Sequence, residues 1–193
     1  MSERYDRQAA WDLLCEYTKT EPLRKHALAV EAAMRAYARK LGGDQEQWAI
    51  VGLLHDFDYE VHPTLEEHPL KGAEIMRQRG WPEEIIYAIL CHADHLSLDR
   101  KTPMDRAIYA VDELTGLIIA VALVRPNKSI HEVDTKAVRK KMKDKGFARA
   151  VNREDVVKGA EQLGVDLDDH IAFVIEALKP VAAELGIAGA SQD

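Results

Sequence analysis

The sequence predicts an all-α fold, a single-domain helical bundle over residues 1–193, and three observations support this prediction. Alanine, leucine, glutamate and lysine, which favour helices, are plentiful, whereas aromatic residues make up 6% of the chain. Apolar residues recur at helical spacing, and no alternating strand pattern of useful length interrupts them. Capping residues and prolines precede these stretches, and several glycines follow them.

Each predicted helix depends on such start and stop signals. Thr20 is placed to cap the second helix, with Pro22 in its first turn, and Gly42 ends it. Asp44 is placed to cap the third helix, and Thr102 precedes the proline that begins the long sixth helix. The predicted helices cover residues 5–19, 20–41, 44 to an end between 55 and 59, 68–80, 81–92, 102–124, 130–145, 152–163 and 167–185.

Histidine and aspartate residues lie on the apolar faces of three predicted helices. His26 lies on the apolar stripe of the second helix, and the apolar run 48–54 of the third helix ends at His55 and Asp56. Asp112 lies on the inward stripe of the sixth helix. Buried carboxylates without a neighbouring lysine or arginine require a positive partner, and imidazole and carboxylate ligands suit a divalent transition metal. These residues predict a metal site inside a bundle; the alternative is a coincidence of helical phase, with a His-Asp pair at the surface.

The same residues carry a resemblance to a known family. The order His26, then His55-Asp56, then Asp112, each on its own helix, resembles the HD superfamily of metal-dependent phosphohydrolases. The resemblance implies a metal-binding core at about residues 20–125, with C-terminal helices at about 126–185 packed on it. These later helices resemble a branch of predicted HD-type hydrolases that has no assigned substrate.

Two further histidines match positions at which some members of the superfamily hold a second metal ion. They are His68 and His92, so the resemblance implies one or two ions of Mn, Fe, Co, Ni or Zn, with Asp56 as the bridging carboxylate. The alternative for His68 is a surface histidine beside a loop. His95, one turn after His92, is expected to ligate instead or to contact the substrate. The remaining histidines are expected to be solvated: His62, His131 and His170.

The resemblance also implies a reaction, the hydrolysis of a phosphate ester by a metal-activated water. The candidate catalytic residues are Asp56, Asp58 and Glu60; the last two would orient the water or protonate the leaving oxygen, or are instead exposed loop carboxylates. Branches that cleave cyclic dinucleotides carry a lysine after the His-Asp pair, which this sequence lacks, so the resemblance does not extend to them. The candidate substrate-binding residues are His95, Lys71, Arg125, Lys128, Lys140 and Lys143.

Composition limits the partners. The net charge is -7, which argues against general nucleic-acid binding, and we expect a small phosphorylated substrate such as a nucleotide. A basic segment, residues 136–149, nevertheless carries seven basic residues against one acidic residue, and is either an anion site or a solvated helix face. The two cysteines, Cys15 and Cys91, have no disulfide or metal spacing and suit a reducing cytoplasm, and no apolar run is long enough to span a membrane.

Two other function classes remain open. Some proteins of the HD fold that have six ligands are di-iron oxygenases, which would be coloured, iron-loaded and oxygen-consuming. A metal-stabilised binding module without turnover would hold stoichiometric metal and be inert towards phosphoesters and oxygen. We rank the phosphohydrolase first, the binding module second and the oxygenase third.

Overall fold

The computed structural model describes residues 5–189, and over these residues the fold is all-α, as predicted. The described part contains no strand; two extended residues, Ser129 and Ala188, pair in an isolated bridge. The α-helices are α1 (Arg7–Tyr17), α2 (Glu21–Leu41), α3 (Gln45–Leu54), α4 (Leu70–Gln78), α5 (Glu83–Leu90), α6 (Pro103–Leu123), α7 (Thr135–Met142), α8 (Arg153–Leu163), α9 (Leu167–Leu178) and α10 (Ala182–Leu185).

The chain divides into two compact units, one up to Tyr109 and one from Ala110 onward, and the boundary falls inside α6. The first unit contains α1 to α5 and the start of α6, and the second contains the rest. The expectation of a single domain with its C-terminal helices packed on a core stays a prediction.

In the first unit, α2 and α3 approach each other closely at Gly52. A Cβ atom at this position would lie 2.8 Å from the carbonyl oxygen of Val30 and 2.9 Å from the backbone of Glu31. Glycine is therefore required for the approach of the two backbones. The carboxylate of Glu31, which is 6% exposed, accepts hydrogen bonds of 2.6 and 2.9 Å from Arg7, so α1 is tied to the same helix.

The start of α2 is capped differently from the sequence prediction. Thr20 lies at the N-cap position, but its side chain makes no capping hydrogen bond to α2. The carboxylate of Glu60 instead accepts the backbone N–H groups of Lys19 and Thr20, at 2.7 and 3.1 Å. Glu60 therefore fixes the beginning of the helix that carries His26, five residues further on. The cap predicted at Asp44 is confirmed, because Asp44 accepts two backbone N–H groups in the first turn of α3.

In the second unit, two predicted helices are shorter than expected. The predicted helix over 130–145 is a 3-10 turn followed by α7, which ends at Met142. The predicted helix over 167–185 is broken at the 3-10 turn Lys179–Val181, because Pro180 has no N–H to continue the ladder. The prediction that His170 is solvated is wrong. His170 is 1% exposed, and its Nε2 lies 2.8 Å from the carbonyl oxygen of Ala110.

Two further observations concern the cysteines and the apolar character of the helices. Cys15 and Cys91 are free thiols, and burial raises the pKa of Cys91 to about 12. Among residues 5–189, none of the helices combines the length and the apolar character that a membrane span needs.

Candidate metal centre

The histidine at the end of α3 is held in one tautomer. The apolar run of α3 is buried throughout and brings His55, which is fully buried, to the end of the helix. Nδ1 of His55 lies 2.8 Å from the carbonyl oxygen of Gly52, and a carbonyl only accepts, so Nδ1 carries the proton. The lone pair of the neutral imidazole is therefore on Nε2, the atom that points away from the helix.

His92 and His68 are held in the same way. Nδ1 of His92, just beyond α5, donates to the carbonyl oxygen of Ile89 at 2.6 Å. Nδ1 of His68, just before α4, donates to the Asp58 carboxylate at 2.8 Å. Both histidines therefore present Nε2 as their free ligand atom.

The four imidazoles meet around the carboxylate of Asp56. Oδ1 of Asp56 lies 3.0 Å from Nε2 of His68 and 3.2 Å from Nε2 of His92, and these two nitrogens are 3.1 Å apart. Oδ2 lies 3.5 Å from Nε2 of His55 and 3.9 Å from Nε2 of His26, and these two nitrogens are 3.2 Å apart. Each oxygen of one carboxylate thus faces its own pair of imidazoles.

This arrangement fits a cation. Lone pairs of nitrogen and carboxylate oxygen repel at about 3 Å unless a positive charge lies between them. Two ligand atoms that are about 2.1 Å from a metal and at right angles to each other are about 3.0 Å apart, close to the spacing around Oδ1. Three imidazoles with locked tautomers and a shared carboxylate are also a typical ligand set for Mn, Fe, Co, Ni or Zn. The cluster could therefore hold a divalent metal, and it has one set of ligands on each side of Asp56.

Asp58 belongs to the support of this cluster. It is 1% exposed, and while Oδ1 accepts from His68, Oδ2 accepts the backbone N–H of Gly72 at 2.7 Å. A Cβ atom on residue 72 would lie 2.8 Å from Cγ of Asp58, so only glycine leaves room for the carboxylate. Asp58, predicted as a catalytic residue, is thus buried and occupied at both oxygens, a position suited to orienting His68.

The pKa values of Asp56 and His68 differ strongly from the ordinary values of these groups. Burial opposes ionisation of Asp56, but the imidazoles of His55, His68 and His92 hold its pKa well below the usual value. Burial alone would lower the pKa of His68, but hydrogen bonds to Asp56 and Asp58 raise it to about 9. The carboxylates of Asp56 and Asp58 therefore favour the protonated, positively charged form of His68 when no metal is bound.

The cluster is open on one side. The side chains of His26 and Asp56 are 22% and 24% exposed, whereas those of His55, His68 and His92 are 0%, 10% and 6% exposed. Water and a substrate can therefore reach the edge formed by His26 and Asp56.

Three other predicted site residues of the first unit, Glu60, Lys71 and His95, are not among the five side chains of this cluster. Glu60 caps α2, as described above. The ammonium of Lys71, in the first turn of α4, pairs with Glu74 at 2.8 Å. His95 is exposed on the 3-10 turn Asp94–Leu96, and the described metal-binding groups do not include it.

Five predicted residues belong to the second unit. Asp112 is half-buried in α6. Arg125 lies just beyond α6, and its Nε atom is buried without a hydrogen-bond partner among the described residues. Lys128, Lys140 and Lys143 are exposed, and helix α7 includes only part of the basic segment. The roles predicted for these residues stay predictions.

Sequence reasoning missed the supporting residues. Gly72 makes room for Asp58, and Arg100 holds the chain after His92: its Nε donates to the carbonyl oxygen of Cys91 at 2.8 Å, and its guanidinium lies 3.5 Å from the ring centroid of Tyr109. A signal for Gly72 was present, since it is a glycine inside a predicted helix. No comparable sequence signal identifies Arg100.

Comparison with known proteins agrees with this geometry. Residues 23–117 match the family model described as HD domain. The chain is also 33% identical over 93 residues to Ribonuclease Y of Desulfotalea psychrophila, 34% to that of Nitratidesulfovibrio vulgaris and 30% to that of Oleidesulfovibrio alaskensis. Each match covers 48% of this chain but 18% of the relative, so the chain spans less than a fifth of those proteins. Residues 23–117 contain all five side chains of the cluster, so the resemblance to the HD superfamily that the sequence motifs indicated is confirmed over this part of the chain.

Proposed function

We propose that this protein hydrolyses phosphate esters with the help of one or two divalent metal ions bound around Asp56. The observation that carries the proposal is the division of one carboxylate between two pairs of imidazole Nε2 atoms. His26 and His55 would hold one ion and His68 and His92 the other. We further propose from the sequence pattern that Asp112 is a ligand of the first ion.

The chemistry of the reaction follows from the charges. A bound divalent metal lowers the pKa of water to yield hydroxide near neutral pH and stabilises the negative charge that develops on the phosphoryl oxygens. Asp56 and His26 line the open edge of the cluster, where the phosphate would enter. Asp58 keeps the proton of His68 on Nδ1, so that Nε2 stays available. Asp58 and Glu60 therefore act as positioning residues in this proposal.

Substrate recognition requires positive groups beyond the metal. Lys71 is one helical turn from His68 and half-buried, and breaking its exposed pair with Glu74 costs little. We propose it as a phosphate contact. His95, Arg125, Lys128, Lys140 and Lys143 stay candidates from the sequence alone.

Two substrate classes compete. Net charge favours a small phosphorylated molecule, for example a nucleotide. The similarity to proteins named Ribonuclease Y favours a phosphodiester of RNA as the second candidate. The expectation that nucleic acid is not a partner therefore has no support from the comparisons.

A direct experiment tests the proposal. The purified protein is analysed for bound metals, stripped with a chelator and reloaded with Mn, Fe, Co, Ni or Zn. Each form is assayed on p-nitrophenyl phosphate, bis-p-nitrophenyl phosphate, nucleotides and a short RNA, with Asp56→Ala as the control for contaminating phosphatases. Turnover that needs the metal and is lost in Asp56→Ala supports the proposal. Stoichiometric metal without turnover would favour a binding module, and oxygen consumption by an iron-loaded form would favour an oxygenase.

A further inference from the structure

A cavity lies in the first unit, at the opposite end of α3 from the candidate metal centre. Its volume is about 580 Å³, within the range of sites for small molecules. Asp44, which caps α3, lines the cavity, whereas His55 follows the last residue of the same helix. Eleven residues at 1.5 Å each place these two ends of α3 about 16 Å apart. The cavity is therefore separate from the candidate metal centre.

One wall of the cavity is a tryptophan with an unused donor. Trp48 is 5% exposed, and within residues 5–189 its indole N–H has no hydrogen-bond partner. Its ring lies against Gly43, where a Cβ atom would be 2.6 to 2.9 Å from the ring atoms, so the glycine allows the ring to lie on the backbone. A ligand atom that accepts from this N–H would therefore gain a hydrogen bond without displacing a protein partner.

The neighbouring walls are apolar and rigid. Met104 is 7% exposed, and the hydroxyl of Tyr87 donates to the carbonyl oxygen of Asp99 at 2.7 Å, which fixes its ring. Leu41, at the end of α2, is 44% exposed at the rim. Aromatic and aliphatic walls of this kind suit a flat ring, which stacks on them with little loss of conformational entropy.

Charges around the cavity disfavour an anionic ligand. Four carboxylates line it, and each already accepts a hydrogen bond: Asp44 from the first turn of α3, Glu83 from Arg77, Glu84 from Gln47 and Asp105 from the backbone N–H of Thr102. They would repel an anion such as a phosphate. The ammonium of Lys101, 5.3 Å from the centroid of the Tyr87 ring, offsets only part of this negative charge.

From these observations we infer that the cavity binds a molecule that carries no negative charge and has a flat, acceptor-bearing ring and hydroxyl groups, the chemical class of the nucleosides. The ring lies among Trp48, Tyr87 and Met104 and accepts the indole N–H. The hydroxyl groups donate to oxygen atoms of the lining carboxylates. This inference concerns a different site from the proposed phosphohydrolase centre and does not depend on it.

The test uses the full chain with adenosine and AMP as probes. In ¹H–¹⁵N spectra the indole signal of Trp48 is assigned through Trp48→Phe, and the signals of Trp11 and Trp81 serve as internal controls. We expect adenosine to shift the Trp48 signal selectively, and AMP to shift it far less at the same concentration. By calorimetry, Trp48→Phe weakens adenosine binding about tenfold, because the ring stays but the donor is lost, whereas Trp11→Phe has no effect.

Three outcomes would overturn the inference. One is an unshifted Trp48 signal with adenosine, guanosine, cytidine and uridine alike. Another is AMP bound as tightly as adenosine, since the carboxylates would then not select an uncharged ligand. The last is loss of adenosine binding in Asp56→Ala, which would place the nucleoside at the metal centre. Retention of adenosine binding in Asp56→Ala supports a separate site, whatever the phosphatase assay shows.

Discussion

Asp56 is the residue on which the candidate metal centre depends, because it is within 4 Å of all four imidazoles. Each oxygen of this carboxylate faces a different pair of imidazole nitrogens, and no neighbouring acid can take both places. Asp58, two residues after Asp56, is the nearest other acid in the sequence, and both of its oxygens already accept hydrogen bonds.

We therefore expect Asp56→Ala to abolish metal binding and phosphohydrolase activity while the helical fold is retained. The substitution removes the negative charge together with the metal that it holds, so no isolated buried cation is left behind. Metal content by elemental analysis and helicity by circular dichroism measure the two effects. Glu66→Ala, an exposed acid in the loop before α4, is the matched control. A variant that unfolds while the chelated parent stays folded would show that Asp56 is structural.

Asp58→Asn tests the orientation of His68. The amide has one acceptor oxygen for two donors, the Nδ1–H of His68 and the N–H of Gly72, so one of them faces an NH₂ group. We expect the affinity for the ion at His68 and His92 to fall about 10- to 100-fold. Competition with a metal-binding dye gives this affinity, and Asp99→Asn is the control. Unchanged affinity would mean that His68 is held by other contacts.

At the scale of elements, the centre is set by how closely α2 and α3 approach. His26 and His55 lie on these two helices, and the backbones touch at Gly52, one turn before His55. The N-terminus of α2 is fixed independently, through the carboxylate of Glu60.

Gly52→Ala should therefore destabilise the protein by about 1–3 kcal/mol, because the added methyl group meets backbone atoms that cannot move aside without separating the helices. Urea unfolding measures the free energy of unfolding. Gly116→Ala, in α6, is the control: its nearest atom would be 3.9 Å away, and alanine favours a helix, so we expect no loss of stability. Equal effects of the two substitutions would contradict the close-packing argument.

The sequence predicted the helices and the histidine and aspartate cluster better than the contacts that hold the cluster in place. Periodicity identified the helices, and the phase of His26, His55 and Asp56 on apolar faces predicted that they converge. Caps that depend on residues distant in the chain, such as Glu60 on α2, leave no local pattern. The Nδ1 bonds of His55 and His92 to the carbonyl three residues earlier depend on rotamers, which a sequence does not specify.

At the scale of the whole molecule, protonation of His68 links the centre to global stability. Hydrogen bonds to Asp56 and Asp58 raise its pKa from an ordinary value of 6.5 to about 9. A pKa raised by folding contributes stability that is fully present below pH 6.5 and is lost as the pH rises through 9.

The free energy of unfolding of the metal-free protein should therefore fall by up to about 3 kcal/mol between pH 6.5 and pH 9. Urea unfolding in the presence of a chelator measures this fall. In His68→Gln, which does not titrate, the decrease should be much smaller. A decrease of the same size in the variant would assign the pH dependence to other groups.

Gly72 contributes no side-chain atom to the centre, yet its α-carbon determines whether the Asp58 carboxylate fits. The five side chains of the cluster could thus be inherited intact by a descendant that has lost the proposed reaction. A relative with alanine at this position would keep the motif that sequence searches recognise, but would present His68 in the wrong orientation. Classification of such relatives as active or as pseudoenzymes should therefore read position 72 along with the histidines and the aspartate.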